Sequence, residues 1–357
     1  MKKTFLVFVH GLSGWGSYDK EHRVIPYWGM RNGDLMSFLS KNGFRSYAAS
    51  VSPDGSAWDR ACELYAQIAG LRVDYGKVHS ARNGHSRFGQ NYTGRPLIPS
   101  WDDNTRLILI GHSFGGTTIR LFASMLKNGS PEERVGTAEK ELSPFFKGGL
   151  SHRVHSIIAL ASPMNGTSIY DMLRDPDFDR EKVKTPWWSK VLARIGAKKV
   201  HNKKTDRAKS DFADYEMRID HALELNKRIE TLPEVYYFSV PYSCCERQAD
   251  GTYRPRGAEP FLVRTACMVG AYSGYTRGGF HIDESWRDND GLVNTISAMA
   301  PLNAPSQPFD KNDIKTGIWN VCPVMRGDHM FPQGGMLHKH NKKELYIKLL
   351  KMVTSRI

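Results

Sequence analysis

Apolar residues in this chain come in short, dense runs separated by helical-period segments, and the two patterns alternate along the sequence. Phe5 to Val9, Arg45 to Ser50, Leu107 to Ile110, His155 to Leu160, Val235 to Ser239 and Trp319 to Met325 are short enough, and rich enough in β-branched and aromatic residues, to predict strands. Between and after them, Asp34 to Lys41, Trp58 to Ala69, Thr117 to Leu126, Asp214 to Ile229 and Lys342 to Val353 carry apolar residues on one helical face. Strands that are apolar on both sides, alternating with helices, predict an α/β protein with a mainly parallel central sheet covered on both faces. No internal repeat interrupts this order. A polar, His-bearing excursion from 56 to 99 separates the second strand from the third, and Asn128-Gly129-Ser130-Pro131 marks a turn.

The most informative run is Gly111-His112-Ser113-Phe114-Gly115, which follows the strand Leu107 to Ile110 and precedes the helix from Thr117. Strand, G-x-S-x-G and helix together predict a nucleophile elbow. Small residues let the backbone turn sharply, so that the serine hydroxyl stands clear of the sheet beside a helix N-terminus suited to a developing anion. This places the chain in the α/β-hydrolase arrangement and implies acyl transfer by Ser113. A serine hydroxyl is a poor nucleophile unless a histidine takes its proton and a carboxylate orients that histidine, in the chain order Ser, Asp, His. Asp290, in Asn289-Asp290-Gly291-Leu292-Val293, and His329, after the strand from Trp319, are the candidates. Spacing alone leaves Asp283 and Asp288, and His281, His338 and His340, as rivals. Acyl transfer also needs two amide donors for the oxyanion; the backbone N–H groups of Leu12, after the first strand, and of Phe114, after the nucleophile, are expected to supply them.

Composition narrows the class. With 357 residues, 40% hydrophobic and 24% charged, the chain has an ordinary globular balance, read as one domain over 1–357. Met1 to Val9 imitates the basic tip of an export signal, but its apolar stretch stops at His10-Gly11, so it is read as a core strand. No apolar run reaches the length of a membrane span. Five cysteines without metal-ligand spacing argue against a disulfide framework, and adjacent Cys244 and Cys245 are read as buried thiols, with a strained redox pair as the alternative. Much of the net charge of +13 falls between Lys182 and Lys209, headed by Trp187-Trp188. That stretch is either a solvated basic loop or an amphipathic flap that meets an anionic lipid or polymer surface. No nucleic-acid-binding signature accompanies it, and no nucleic-acid partner is expected.

Beyond these patterns the sequence resembles the family I.5 bacterial lipases, the bacillary and staphylococcal group whose α/β-hydrolase fold carries a zinc-bearing insertion. The resemblance rests on His10-Gly11-Leu12-Ser13-Gly14-Trp15-Gly16, Tyr27-Trp28-Gly29, Trp58-Asp59-Arg60-Ala61-Cys62-Glu63, Val73-Asp74-Tyr75-Gly76, Gly84-His85-Ser86-Arg87-Phe88-Gly89 and Asn289-Asp290-Gly291-Leu292-Val293-Asn294-Thr295. It implies Ser113, Asp290 and His329 as the triad, with Leu12 and Phe114 as oxyanion donors. It also implies Asp59, His79, His85 and Asp211 as ligands of a structural zinc, with Asp206 or Asp214 as alternatives to Asp211. Two imidazoles and two carboxylates close a tetrahedral site, the structural pattern. The resemblance further implies an inserted zinc subdomain over 56–99 and a lid or flap over 167–213.

Two departures bear on substrate and cofactor. The segment from Thr167 to Asp211 looks shorter than the family's lid, and Pro176, Pro186 and its lysines break up the expected apolar helix. Met330-Phe331-Pro332-Gln333-Gly334-Gly335 lacks the acidic side chains of the family's calcium site, so no calcium is expected there. The expectation is a carboxylic ester hydrolase, lipase-like, acting on a glyceride or similar apolar ester. A short-chain esterase or polyester depolymerase, a metallohydrolase using His79 and His85, and a non-catalytic binding protein are the alternatives. Secretion, with an export signal outside these residues, is expected, and a cytoplasmic location is the alternative.

Overall fold

The computed structural model describes residues 2–186, 207–337 and 342–356. Seven strands form one sheet: β1 (Lys3–Val9), β2 (Ser46–Ala49), β3 (Thr105–His112), β4 (Val154–Leu160), β5 (Tyr236–Val240), β6 (Ser306–Pro308) and β7 (Trp319–Val321). Their spatial order is β6-β7-β5-β4-β3-β1-β2, and every neighbouring pair is parallel. Parallel strands need crossovers, which the helices supply: α1 (Leu35–Lys41), α2 (Ala57–Ala69), α3 (Lys77–Asn83), α4 (Phe114–Asn128), α5 (Ile219–Asn226), α6 (Val263–Val269) and α7 (Lys343–Thr354).

Alternate residues of the central strands feed two cores. Phe5, Val7, Val9, Leu107, Leu109 and Ile157 face one side and pack with α2 and α4; Leu6, Phe8, Ile108, Ile110, Ile158 and Leu160 face the other and pack with α1 and α7. This period of two is what a doubly covered sheet requires. Local signals start and stop the helices. Asp34 caps α1 by accepting from the amides of Met36 (3.1 Å) and Ser37 (3.2 Å), and Gly70, at φ 67, ends α2. Residues 56–99 share the first core through Ala57, Ala61, Leu64, Ile68, Val73, Tyr92 and Ile98 and have no separate core among the described residues.

Two expected elements are shorter than their patterns suggest. The helix expected from Asp214 to Ile229 is split into a single turn, Ala213–Glu216, and α5. The Met217 carbonyl accepts from Thr167 N at 2.9 Å, and Gly166 passes so close that a Cβ there would lie 2.7 Å from Ile219 Cα. Tertiary contact overrides helical periodicity at that point. The strand expected from Trp319 to Met325 stops at Val321 and resumes as the pair Met325–Arg326, because Pro323 has no N–H to continue a ladder. The sheet-edge strand β6 and the helix α6 carry no strong pattern in the sequence. Among the described residues no helix is long and apolar enough to cross a membrane. Cys244 and Cys245 are buried free thiols with Sγ atoms 3.9 Å apart.

Candidate active site and metal centre

Leu12 and Ser113 lie just past the carboxyl ends of β1 and β3, and Asp290 and His329 lie on loops that follow β5 and β7, on the side where open parallel sheets place their ligands. Ser113 joins β3 directly to α4 with φ 54 and ψ −129, a conformation a non-glycine residue adopts only when its surroundings impose it. Glycine makes the turn possible on both sides. A Cβ on Gly111 would stand 2.5 Å from Gly115 backbone atoms, and one on Gly115 would stand 2.2 Å from the Val9 carbonyl oxygen. Strand β1 and helix α4 are therefore in backbone contact. The amides of Leu12, just past β1, and of Phe114, the first residue of α4, have no hydrogen-bond partner among the described residues.

A buried arginine, absent from the sequence expectations, braces this turn. Arg60 on α2 is fully buried and donates to Thr118 Oγ1 (2.9 Å), to the Ser52 carbonyl (2.8 Å) and to the His10 carbonyl, with its guanidinium 5.3 Å from the centre of the Phe114 ring. Burial lowers its pKa only to about 10, so it stays charged.

Asp290 and His329 meet in the interior. Oδ2 of Asp290 accepts from His329 Nδ1 at 2.8 Å, while Oδ1 accepts from the amides of Leu292 (3.0 Å) and Val293 (2.8 Å). A carboxylate fixed on both oxygens holds the imidazole in the tautomer that leaves Nε2 as the basic nitrogen. Ser113 Oγ makes no hydrogen bond to His329 here; such contacts often tighten only when substrate is bound. The rivals are otherwise engaged. Asp283 caps a turn through Ser285 N (2.9 Å), Asp288 accepts from Ser243 Oγ (2.5 Å), and exposed His281 stacks on Tyr275. His338 and His340 lie outside the described residues, as do Trp187, Trp188 and most of the basic stretch.

A second cluster unites Asp59 of α2, His79 of α3, His85 just beyond α3, and Asp211; their ligating atoms all lie within 4.8 Å of one another. His79 Nε2 is 3.1 Å from Asp59 Oδ1 and 3.3 Å from Asp211 Oδ1, and His85 Nε2 is 3.2 Å from Asp211 Oδ2. These spacings approach the roughly 3.4 Å edges of a tetrahedron around an ion with 2.0–2.1 Å bonds. Buried His85 Nε2 and Asp211 Oδ1 carry no hydrogen bond, which fits a donor set arranged for a cation. Trp58 stacks on His79 at 4.9 Å, and Arg207, which the sequence reading did not single out, contacts both carboxylates, at 2.5 Å on Asp59 Oδ2 and 2.8 Å on Asp211 Oδ2. Burial lowers the His79 pKa, but the adjoining Asp211 and Asp59 carboxylates outweigh it and raise the value to about 9. Asp214 is paired with Arg218 at 3.9 Å, away from the cluster, and Asp206 lies outside the described residues.

Known proteins match this architecture over nearly all of the chain. The family model described as "Lipase-like, C-terminal domain" matches residues 2–184 and 193–345. Lipase 2 of Staphylococcus aureus is 33% identical over 358 aligned residues, covering 92% of this chain and 50% of its own length. The chain thus spans about half the length of the curated relatives it matches. Among solved structures, EstA from Clostridium botulinum superposes with a TM-score of 0.83 at 31% identity, covering 98% of this chain and 87% of its own. The lipase of Staphylococcus hyicus gives 0.78 at 28% identity, covering 98% of this chain and 94% of its own. An all-parallel sheet, a strained serine at its centre and this breadth of similarity lead to one assignment: the chain belongs to the lipase family described by that C-terminal domain model, the family I.5 lipases its motifs resemble.

Proposed function

We propose that this chain is a carboxylic ester hydrolase that works through an acyl-enzyme on Ser113. The observation that carries the reading is the strain at Ser113, φ 54 on a strand-to-helix turn, which lifts the hydroxyl away from the sheet beside two unpaired amides. Ser113 Oγ attacks the ester carbonyl carbon as its proton passes to His329 Nε2. The amides of Leu12 and Phe114 receive the oxyanion. Collapse of the tetrahedral adduct breaks the C–O bond, and His329 returns the proton to the departing alcohol. Water, activated by the same imidazole, then releases the acid and restores Ser113. Asp290 orients and stabilises the imidazolium.

Asp59, His79, His85 and Asp211 are proposed to hold zinc, although imidazole and carboxylate ligands also accept other divalent ions. Bound there, zinc would supply cross-linking rather than chemistry, joining α2, α3 and the chain after residue 207. Residues 56–99 are proposed as the zinc-bearing insertion and 167–213 as the lid or flap, whose basic residues make transient contact with a lipid or polymer surface.

The proposed substrate is an apolar ester such as a glyceride, and the proposed setting is outside the cell. Pro176 and Pro186 in the lid stretch favour, as a second reading, a short-chain esterase or polyester depolymerase with an open cleft. A panel of p-nitrophenyl esters from acetate to palmitate decides between them. Turnover with long chains supports a lipase, turnover confined to short chains supports the second reading, and no turnover of any ester rejects both.

A further inference from the structure

A buried line of hydrogen bonds joins three loops of the proposed active site, and its interpretation rests on the Ser113, Asp290, His329 reading above. Gly11 N–H donates to Tyr27 Oη at 3.1 Å, Tyr27 Oη lies 2.6 Å from His112 Nδ1, and His112 Nε2 lies 2.8 Å from the carbonyl oxygen of His329. Both connecting side chains are buried. Gly11 precedes the oxyanion donor Leu12, His112 precedes the nucleophile, and the last acceptor belongs to the general base itself.

The end groups fix the direction of every bond. A carbonyl oxygen only accepts, so His112 Nε2 carries a proton, and a neutral imidazole protonated there has a bare Nδ1 that accepts. Tyr27 must then donate its hydroxyl proton to His112, and its oxygen accepts from Gly11. Each donor and acceptor is used once, all in one direction. Histidine alone among the side chains can accept through one ring atom and donate through another across the width of its ring. An imidazolium at this position would present a second donor to Tyr27, leaving the phenol proton without its acceptor.

The surroundings support the neutral form. The His112 and His329 rings lie 4.8 Å apart, so a charge on His112 would oppose the charge that His329 acquires during catalysis. Burial, followed by the neighbouring His329, holds His112 well below the ordinary histidine value. Trp15 and Trp28 meet the ring of buried Tyr27 edge-on at 5.5 and 5.4 Å, an interior setting where a hydrogen bond is stronger than in water.

We propose that Tyr27 and His112 are positioning residues for ester hydrolysis, setting the separation between the oxyanion turn at Gly11 and Leu12, the elbow at Ser113 and the loop that carries His329. They touch no reacting atom. They act by holding the base, the nucleophile and the oxyanion donors in register, and by keeping the histidine beside the base uncharged.

The test is a kinetic cycle on a soluble p-nitrophenyl ester with Tyr27→Phe, His112→Asn, the double variant and Ser113→Ala. Tyr27→Phe deletes one oxygen; His112→Asn retains an acceptor near the Nδ1 position and loses the donor at Nε2. Each single variant is expected to keep its circular dichroism spectrum, to lose about tenfold in kcat and to keep KM within about twofold, since geometry and not ground-state binding is disturbed. The double variant is expected to lose little more than the worse single, because a line already broken cannot be broken again. A Tyr27→Phe enzyme with wild-type kcat, a loss confined to KM, or multiplicative losses in the double variant overturns the positioning role. If His112→Asn fails to fold, Tyr27→Phe alone decides. Inactive Ser113→Ala beside fully active Tyr27→Phe rejects this inference and leaves the triad standing, whereas active Ser113→Ala removes the triad beneath it.

Discussion

His329 and Asp290 are joined twice: the imidazole Nδ1 lies 2.8 Å from the carboxylate Oδ2, and the His329 backbone N–H donates at 2.8 Å to the Asp290 carbonyl. One bond orients the ring and the other fixes the loop that bears it, so the tautomer and the position of the imidazole are set by the same residue. Asp290→Asn preserves the size of the side chain and its backbone bonds but presents an amide that can impose the wrong tautomer. It is expected to lower kcat by about 10³- to 10⁴-fold with little change in thermal stability. Steady-state kinetics beside a melting curve checks this; a loss of less than tenfold contradicts it.

Gly115→Ala addresses the contact between β1 and α4. The added Cβ would meet the Val9 and His10 carbonyl oxygens at 2.2 and 2.7 Å, and neither backbone atom can swing aside. The helix must move away from the strand, which separates the Phe114 and Leu12 amides. Loss of one oxyanion donor costs on the order of 10²-fold or more in kcat, and a loss of that size is expected here. Measured kcat within a few-fold of wild type would show that the two amides do not act together.

Buried histidines couple the stability of the fold to acid pH. Burial, reinforced by the charge of Arg60, lowers the His10 pKa from 6.5 to about 3, and burial lowers that of His112 as well. Between pH 6.5 and 3 the unfolded chain binds more protons at His10 than the folded chain does, so the contribution of His10 to stability is full above 6.5 and falls as pH drops through that window, against the opposite effect of Glu63 and Glu216, which burial raises to about 7. The slope of melting temperature against pH between 6.5 and 3 should therefore differ in His10→Gln, which loses less stability than the wild type as the pH falls. An unchanged slope in that variant contradicts the assignment.

Metal removal separates a structural from a catalytic role for the proposed zinc. Candidate ligands held by α2, α3 and residue 211 would make metal affinity part of the folding free energy. Chelation is expected to lower the melting temperature and the activity in parallel, and added zinc to restore both. Loss of activity in a protein with an unchanged melting curve would favour a catalytic metal instead.

Sequence and structure agree most closely where the controlling interactions are local. The elbow could be read because Leu107 to Ile110, Gly111, Gly115 and the helix behind them are contiguous, and the turn follows from that order. That Asp290 rather than Asp288 meets His329 rather than His281 could not be read from spacing, because the pairing depends on loops that meet only in three dimensions; the family resemblance implied the pair. The same holds for Asp59 and Asp211, which converge from distant segments. Arg60, Tyr27, His112 and Arg207 gave no readable signal as functional residues. A buried arginine on a helix and a histidine before the nucleophile acquire meaning only through the carbonyl oxygens they face. The break at Met217 was hidden for a related reason: the amide that captures its carbonyl comes from Thr167.

Covalent trapping probes the proposed nucleophile, Ser113, without reference to any one substrate. Wild-type protein is treated with a fluorophosphonate, and the mass of the intact chain and of its peptides is measured. A single adduct is expected, on the peptide containing Ser113, formed in step with the loss of esterase activity and absent from Ser113→Ala. No adduct, or an adduct on another residue while activity disappears, would contradict it.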